Sequence, residues 1–300
     1  MRFEPGLKLV SHSRTTDYLK GKKIYPINVE ISPFGRCNAQ CPWCFYRQGL
    51  PGWDKEAFDE DRMKVLAQEF QTLDVKSVSW TGGGEPTLHP SFSKFVEWME
   101  YNKIKQGLFT NALGPIPYNP QTLEWIRVSK TNHDWPIENI KKLRACKTVG
   151  MCINYTGDED IVKKTLEIGE QIGVTYVQVR PALNVKGKKT VIDVPETQHP
   201  LLLITDYKFL GAGVERSYTK CEGYHFVPFI WQTGDVEVCA YHRGEKQFYL
   251  GNLHEKSFKQ IMDEAPEYVP VVANCQVCCK PNAINEMINR MKQLEDVDFP

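Results

Sequence analysis

An α/β fold built on a parallel sheet is what this 300-residue sequence predicts. Three observations carry that expectation. Short β-branched runs alternate with amphipathic runs of helix length from residue 27 to residue 181. The length suits one large α/β domain, or a domain with an appendage. After Pro181 the alternation stops, and short β-like runs separated by glycine take over.

The elements follow in order. "INVEI" (27–31) alternates and reads as a strand. "FDEDRMKVLAQEFQTL" has helical spacing at Met63, Leu66, Ala67 and Phe70, with acids in its first turn. "VKSVSW" (75–80) is a second strand and runs into "TGGGEP". "PSFSKFVEWMEYN" is a helix with Pro90 near its start, and "QGLFTN" (106–111) a third strand. The second half of "TLEWIRVS" (122–129) is a fourth strand, "IENIKKLRAC" (137–146) a helix and "KTVGMCINY" (147–155) a fifth strand. "DEDIVKKTLEIGEQIG" is an amphipathic helix opening on three acids, and "VTYVQVRP" (174–181) is a sixth strand. Strand–helix repetition implies right-handed βαβ units. Six such units form either an open doubly wound sheet or most of a barrel.

The polar stretch "NVKGKKTVIDVPETQHP" reads as a linker or surface loop. Beyond it, "LLLITDY", "HFVPFIWQ", "VEVCAY" and the helix "EKSFKQIMDEA" form a second, smaller α+β unit with a cysteine-rich end. The expected division is residues 1–27 as an N-terminal extension, 28–199 as the main α/β unit, 200–285 as the smaller unit and 286–300 as a helical tail.

Lys+Arg and Asp+Glu are 37 each, so no global field exists to hold nucleic acid or an anionic membrane. No apolar run approaches the ~20 residues of a membrane helix. The N-terminus lacks an apolar signal region, which makes the cytoplasm the expected compartment. Ten cysteines in a reducing compartment point to metal rather than to disulfides.

Two cysteine groups stand out. "CNAQCPWC" places Cys37, Cys41 and Cys44 in Cys-x3-Cys-x2-Cys spacing, directly after the first strand. A closed zinc site wants four ligands, and no fourth lies nearby. Three thiolates on a cubane cluster leave one iron free for a substrate or cofactor. The second group is Cys221, Cys239, Cys275 and Cys278, four thiols from two separated segments. Zinc or a fully ligated iron–sulfur cluster fits it equally well.

The cysteine loop, followed at the second strand by Gly82-Gly83-Gly84-Glu85-Pro86, resembles the radical S-adenosylmethionine (SAM) superfamily. Its signature is Cys-x3-Cys-x-aromatic-Cys, with Trp43 at the aromatic position. "TN" (Thr110, Asn111), "WIRVS" (125–129) and "VQVRP" (177–181) are further echoes. The spacing Cys-x12-Gly-x4-Cys, then "YLGNLHEKSFKQIM", then Cys-x2-Cys, resembles the twitch domain, the short form of the SPASM extension. The resemblance implies a partial (β/α)6 TIM-like barrel with a small C-terminal α+β auxiliary-cluster domain. It implies a SAM-binding [4Fe–4S] cluster on Cys37, Cys41 and Cys44. It also implies one auxiliary [4Fe–4S] cluster on Cys221, Cys239, Cys275 and Cys278, with Cys279 as the alternative fourth ligand.

The candidate SAM-binding residues are Trp43 against the adenine, Gly82, Gly83 and Gly84 for close backbone approach, and Glu85 toward the amine. Asn111, Ser129 and Asn154 stand at strand ends, and Arg180 offers a planar fork to the carboxylate. Each has a plainer reading: an ordinary phosphate-binding turn for the glycines, a surface Arg, a core Trp. Cys146 and Cys152 stay unassigned; Cys152 shares a strand face with Asn154 and is a candidate hydrogen-atom donor, against the plainer reading as a buried core thiol. Tyr224, His225 and Asp206 are candidate bases, unranked.

The implied chemistry is reductive cleavage of SAM to a 5′-deoxyadenosyl radical that takes a hydrogen atom from a substrate. The electron would come from a flavodoxin- or ferredoxin-type donor. Oxidation of a small molecule, with the auxiliary cluster as electron acceptor, is the leading expectation, by analogy of size with aminocyclitol-type alcohol dehydrogenases. The ~25 residues before the first strand are too few for a leader-peptide-binding domain. Epimerisation, or modification or cross-linking of a peptide, protein or nucleotide, is the alternative. A zinc-stabilised binding module without chemistry is the alternative of a different class.

Overall fold

The computed structural model describes residues 6–47, 49, 56–183, 193–211, 213–272, 275 and 279–294. Seven strands run parallel: β1 (Asn28–Ile31), β2 (Ser77–Trp80), β3 (Lys105–Thr110), β4 (Trp125–Ser129), β5 (Val149–Tyr155), β6 (Tyr176–Pro181) and β7 (Leu202–Ile204). The helices α2 (Glu60–Thr72), α3 (Phe92–Tyr101), α4 (Ile137–Leu143) and α5 (Glu159–Ile172) connect them, after a short N-terminal α1 (Ser13–Leu19).

The sequence pattern locates these elements for local reasons. Asp59 caps α2 by accepting from Arg62 N–H, and Asp158 caps α5 by accepting from Asp160 and Ile161 N–H. Gly173 ends α5 in the left-handed conformation, φ 79°. Each parallel strand divides its residues between two faces. On β4, Ile126 and Val128 are buried under the helices while Trp125, Arg127 and Ser129 face the lumen. The outer-face residues pack with Leu66, Phe70, Phe92, Phe95, Val162 and Leu166 into one core.

Two features differ from the expected six strand–helix units. The β3–β4 crossover carries only a 3₁₀ turn, Pro120–Thr122. Also, β7, placed by the sequence in the smaller unit, extends the parallel sheet beside β6 and is followed by α6 (Asp206–Gly211). Leu202 and Phe209 join the main core there, so burial carries the barrel past the expected boundary at 199.

The smaller unit is also continuous with the sheet. Its β8 is Lys220–Cys221, and its β9 (Phe229–Ile230) lies parallel to β1. Next come β10 (Asp235–Glu237) and β11 (Tyr249–Asn252), antiparallel, giving the order β11-β10-β9-β1-β2-β3-β4-β5-β6-β7. The helix α7 (Phe258–Glu264), the strand β12 (Val269–Pro270, antiparallel to β8) and the long α8 (Lys280–Lys292) complete it. Leu9, Ile24 and Ile27 pack with Phe226, Val227, Ile284 and Ile288, so the N-terminal extension and α8 share a core of their own. No helix among the described residues is long and apolar enough to cross a membrane.

Candidate active site

The three-cysteine loop leaves the C-terminal end of β1, and the glycine turn after β2 holds it by backbone contact. Gly84 N–H donates to Phe34 O (3.0 Å) and Glu85 N–H to Arg36 O (2.7 Å). A Cβ on Gly84 would sit 2.1 Å from Arg36 O. The sequence assigned this glycine to close approach of a ligand, but the close neighbour is the backbone of the cysteine loop at Arg36. Glu85 is 3 % exposed. Its Oε1 accepts from Thr110 Oγ1 (2.6 Å) and Thr87 Oγ1 (2.8 Å), and its Oε2 from Asn111 N–H (2.7 Å). Burial raises its pKa against the opposing pull of those donors. Glu85 therefore ties the β2 turn to the end of β3. Asn111 in turn donates from Nδ2 to Asn38 Oδ1 (2.7 Å) and lies 3.6 Å from Cys37 Sγ.

Cys37, Cys41 and Cys44 open onto a cavity of about 370 Å³, within the range of small-molecule sites. Trp43, Gly82–Gly84, Ser129, Asn154 and Arg180 also line it. Asn154 and Arg180 are register partners on β5 and β6, and Arg180 Nε donates to Asn154 Oδ1 at 2.8 Å. That bond steers the guanidinium at the strand ends, where its fork faces the cavity. Burial pushes the Cys37 thiol up to about 11, the backbone N–H of Ala39 offsetting part of it and Glu85, Cys41 and Cys44 adding to it. Such thiols bind as thiolates when a positive centre replaces the proton, which is what iron supplies.

The second cysteine set surrounds a cavity of about 30 Å³, on whose walls Cys221, Cys239, Cys275 and Cys279 converge. Cys239 is buried, and burial together with the charges of Cys279, Cys221 and Cys275 drives its pKa well up. Cys278 lies outside the described residues, and the structure places its neighbour Cys279 at the N-cap of α8, facing the cavity. Cys239 and Cys279 also line the large cavity, so both cysteine sets reach one space. Among the described residues, no three His, Cys, Asp or Glu side chains gather closely enough to hold a single metal ion.

No protein-family model matches the chain. A curated relative, the tungsten-containing aldehyde ferredoxin oxidoreductase cofactor-modifying protein of Pyrococcus furiosus, is 31% identical over 80 residues, 26% of this chain and 21% of that protein. The matched stretch thus spans about a fifth of that relative's length. Among solved structures, SuiB of Streptococcus suis bound to its precursor peptide SuiA superposes with a TM-score of 0.65 at 18% identity, covering 91% of this chain and 74% of SuiB. The protein anSMEcpe with bound AdoMet gives 0.56 at 15% identity, covering 81% of this chain and 82% of that one. The chain has the radical SAM fold. It is a partial barrel with an extra C-terminal unit, as the sequence motifs imply.

Three thiols on one wall, a cation steered to a strand end and a half-buried Trp43 make a donor set whose chemistry suits an iron–sulfur cluster with a place left for an anionic ligand. Other candidates fall away from the cavity. Cys152 shares the lumen face with Asn154 but is fully buried and does not line the cavity wall. Tyr224 is buried in the C-terminal core with its hydroxyl on Pro266 O, and His225 Nε2 contacts Glu267 O (2.9 Å), so neither faces the cavity. The side chain of Asp206 lies outside the described residues.

The sequence reading missed several polar groups on the walls. Arg127 donates to Gln178 Oε1 (2.5 Å) and stacks over Phe109 (4.1 Å). Lys280 reaches from α8 to Glu30 Oε1 (3.2 Å) and Asn28 Oδ1 (3.0 Å). Tyr241 lines both cavities. A signal existed for two of them: Glu30 and Arg127 interrupt strands whose flanking residues are Val29, Ile31, Ile126 and Val128.

Proposed function

We propose that this protein is a radical SAM enzyme with one auxiliary [4Fe–4S] cluster, oxidising a substrate held between its two cysteine sets. The observation that carries the reading is the shared cavity, with Cys37, Cys41 and Cys44 at one part of its wall and Cys239 and Cys279 at another. When bound, the SAM cluster supplies a radical that removes a hydrogen atom, and the auxiliary cluster supplies an electron sink. The chain's own residues do the rest. Cys37, Cys41 and Cys44 would hold the SAM-binding cluster as thiolates. Gly83 N–H is held by Ser32 Oγ (2.9 Å), which keeps the glycine turn flat beside the loop. Arg180, steered by Asn154, would pair with the SAM carboxylate. Trp43 and the walls exclude water. Glu30, paired with Lys280 on the cavity wall, is the carboxylate this reading assigns to take a substrate proton.

A small alcohol or amine is the preferred substrate class, and a flavodoxin- or ferredoxin-type protein the electron donor. The second reading is modification of a peptide, favoured by the superposition on SuiB solved with its precursor peptide. Anaerobic reconstitution with iron and sulfide, then SAM and dithionite, tests the reading. The expected product is 5′-deoxyadenosine, abolished by C37A, C41A or C44A. The variant C239A should still cleave SAM while losing substrate oxidation. A colourless protein carrying zinc and no iron would sink the proposal in favour of a binding module. Incubation with pooled small alcohols and pooled peptides, read by loss of two mass units, separates the two substrate classes.

A further inference from the structure

We propose that Asn285 and His242 set the reduction potential of the auxiliary cluster by donating hydrogen bonds to two of its cysteine sulfurs. The inference rests on the reading above that the second cysteine set holds such a cluster. Asn285, on α8, is 3 % exposed, and its Nδ2 lies 3.2 Å from Cys221 Sγ. Its Oδ1 accepts from the backbone N–H of Glu222 (2.7 Å) and of Gly223 (2.6 Å). Those two donors fix the amide: a flip would turn its NH₂ onto two N–H groups and its oxygen onto the sulfur. The donor therefore faces Cys221 by necessity.

His242 is held as firmly. Its Nδ1 lies 2.9 Å from Glu245 Oε1, and its ring stacks on Phe248 at 4.0 Å between centroids with 17° between planes. This leaves Nε2 aimed at Cys275 Sγ, 3.3 Å away. A cysteine sulfur bound to a cluster has no proton to give, so the hydrogen bond at Nε2 is one the ring donates.

Hydrogen bonds to cluster sulfurs draw electron density from the thiolates and favour the reduced, more negative cluster. Two such bonds on different ligands raise the potential. A higher potential suits a cluster whose task is to accept an electron from a substrate. Both residues act through the cysteines and are positioning residues.

The test uses the full chain with Cys37, Cys41 and Cys44 replaced by Ala, so that the auxiliary site alone contributes signal. Iron content is measured first, and the midpoint potential is then followed by electron paramagnetic resonance during a redox titration. Asn285→Asp keeps the acceptor toward Glu222 and Gly223 and removes the donor. His242→Phe keeps the stack and removes the donor, and His242→Gln restores one. Asn285→Asp and His242→Phe are expected to shift the reduction equilibrium at least tenfold toward the oxidised form, about 59 mV for one electron. His242→Gln should recover most of that shift. Unchanged midpoints at full iron content would overturn the proposal. So would loss of iron in His242→Phe, which would make His242 a ligand. A parent chain that binds no iron removes the cluster itself, and the iron assay alone tells that failure apart.

Discussion

At position 84 a methyl group has nowhere to go, because a Cβ there lies 2.1 Å from a backbone oxygen of Arg36. Backbone cannot rotate away as a side-chain tip can, so Gly84→Ala must displace the loop backbone at Arg36 that leads into Cys37. The expected outcome is loss of iron from the first site with auxiliary iron retained, roughly half the total. Iron analysis with electron paramagnetic resonance checks it, and full iron in G84A would refute the role.

His89, three residues after Pro86, shows a different constraint. Its Nδ1 accepts from Ser91 N–H (3.0 Å) and its Nε2 donates to Phe58 O (3.0 Å), so the neutral ring is fully satisfied. A second proton would meet the Ser91 N–H. Burial lowers its pKa below 6.5, and the Phe58 carbonyl and Glu60 offset only part of that. In the window below 6.5 the unfolded chain therefore binds more protons than the folded one. This contribution is complete above pH 6.5 and lost as pH falls toward the depressed folded value. Urea midpoints of wild type and His89→Gln at pH 5 and 7.5 should show the wild type losing more stability on acidification. Equal losses would remove His89 from the acid response.

The cysteines and the glycine turn were legible because their spacing is local. Asn285 and His242 were not, since their meaning depends on sulfurs 64 and 33 residues away in sequence.

Whole elements obey the same division. The periodicity of "DEDIVKKTLEIGEQIG" contains the cap, the buried face and the αL stop of α5, and all three appear at Asp158, Leu166 and Gly173. The short β7 carries no such information. Its three residues become a barrel strand only because β6 offers a free edge. The lumen floor shows why particular strands accept particular neighbours. Tyr176 on β6 seats its ring over Gly150, its register partner on β5, where a Cβ would come 2.2 Å from the ring. Trp125 does the same over Gly107, at 1.9 Å. Gly150→Ala should cost about 1–3 kcal/mol, the range for overpacking, measured by denaturant unfolding. Adding Tyr176→Leu should return part of it, and strict additivity of the two changes would reject the ring contact as the cause.

Across the whole molecule, the N-terminal extension packs on α8. This helix carries Cys279 at its start, Lys280 toward Glu30, Asn285 toward Cys221, and Ile284 and Ile288 against Leu9, Ile24 and Ile27. Sequence reading left both the N-terminal extension and this helix without a role, because their apolar faces meet each other and Phe226 and Val227 across long stretches of sequence. The consequence is that the second cysteine set is anchored through α8 by the N-terminal extension, far away in sequence. Ile288 is fully buried, so Ile288→Ala should cost about 2–5 kcal/mol. The loss should fall unevenly. Weakening α8 loosens Cys279 and Asn285 but leaves the Gly84–Phe34, Glu85–Arg36 and Glu85–Asn111 contacts around the first site untouched. Iron should therefore leave the auxiliary site at a lower denaturant concentration than the first site, and 5′-deoxyadenosine formation should outlast substrate oxidation. Simultaneous loss of both at one midpoint would mean that barrel and C-terminal unit unfold as a single cooperative body.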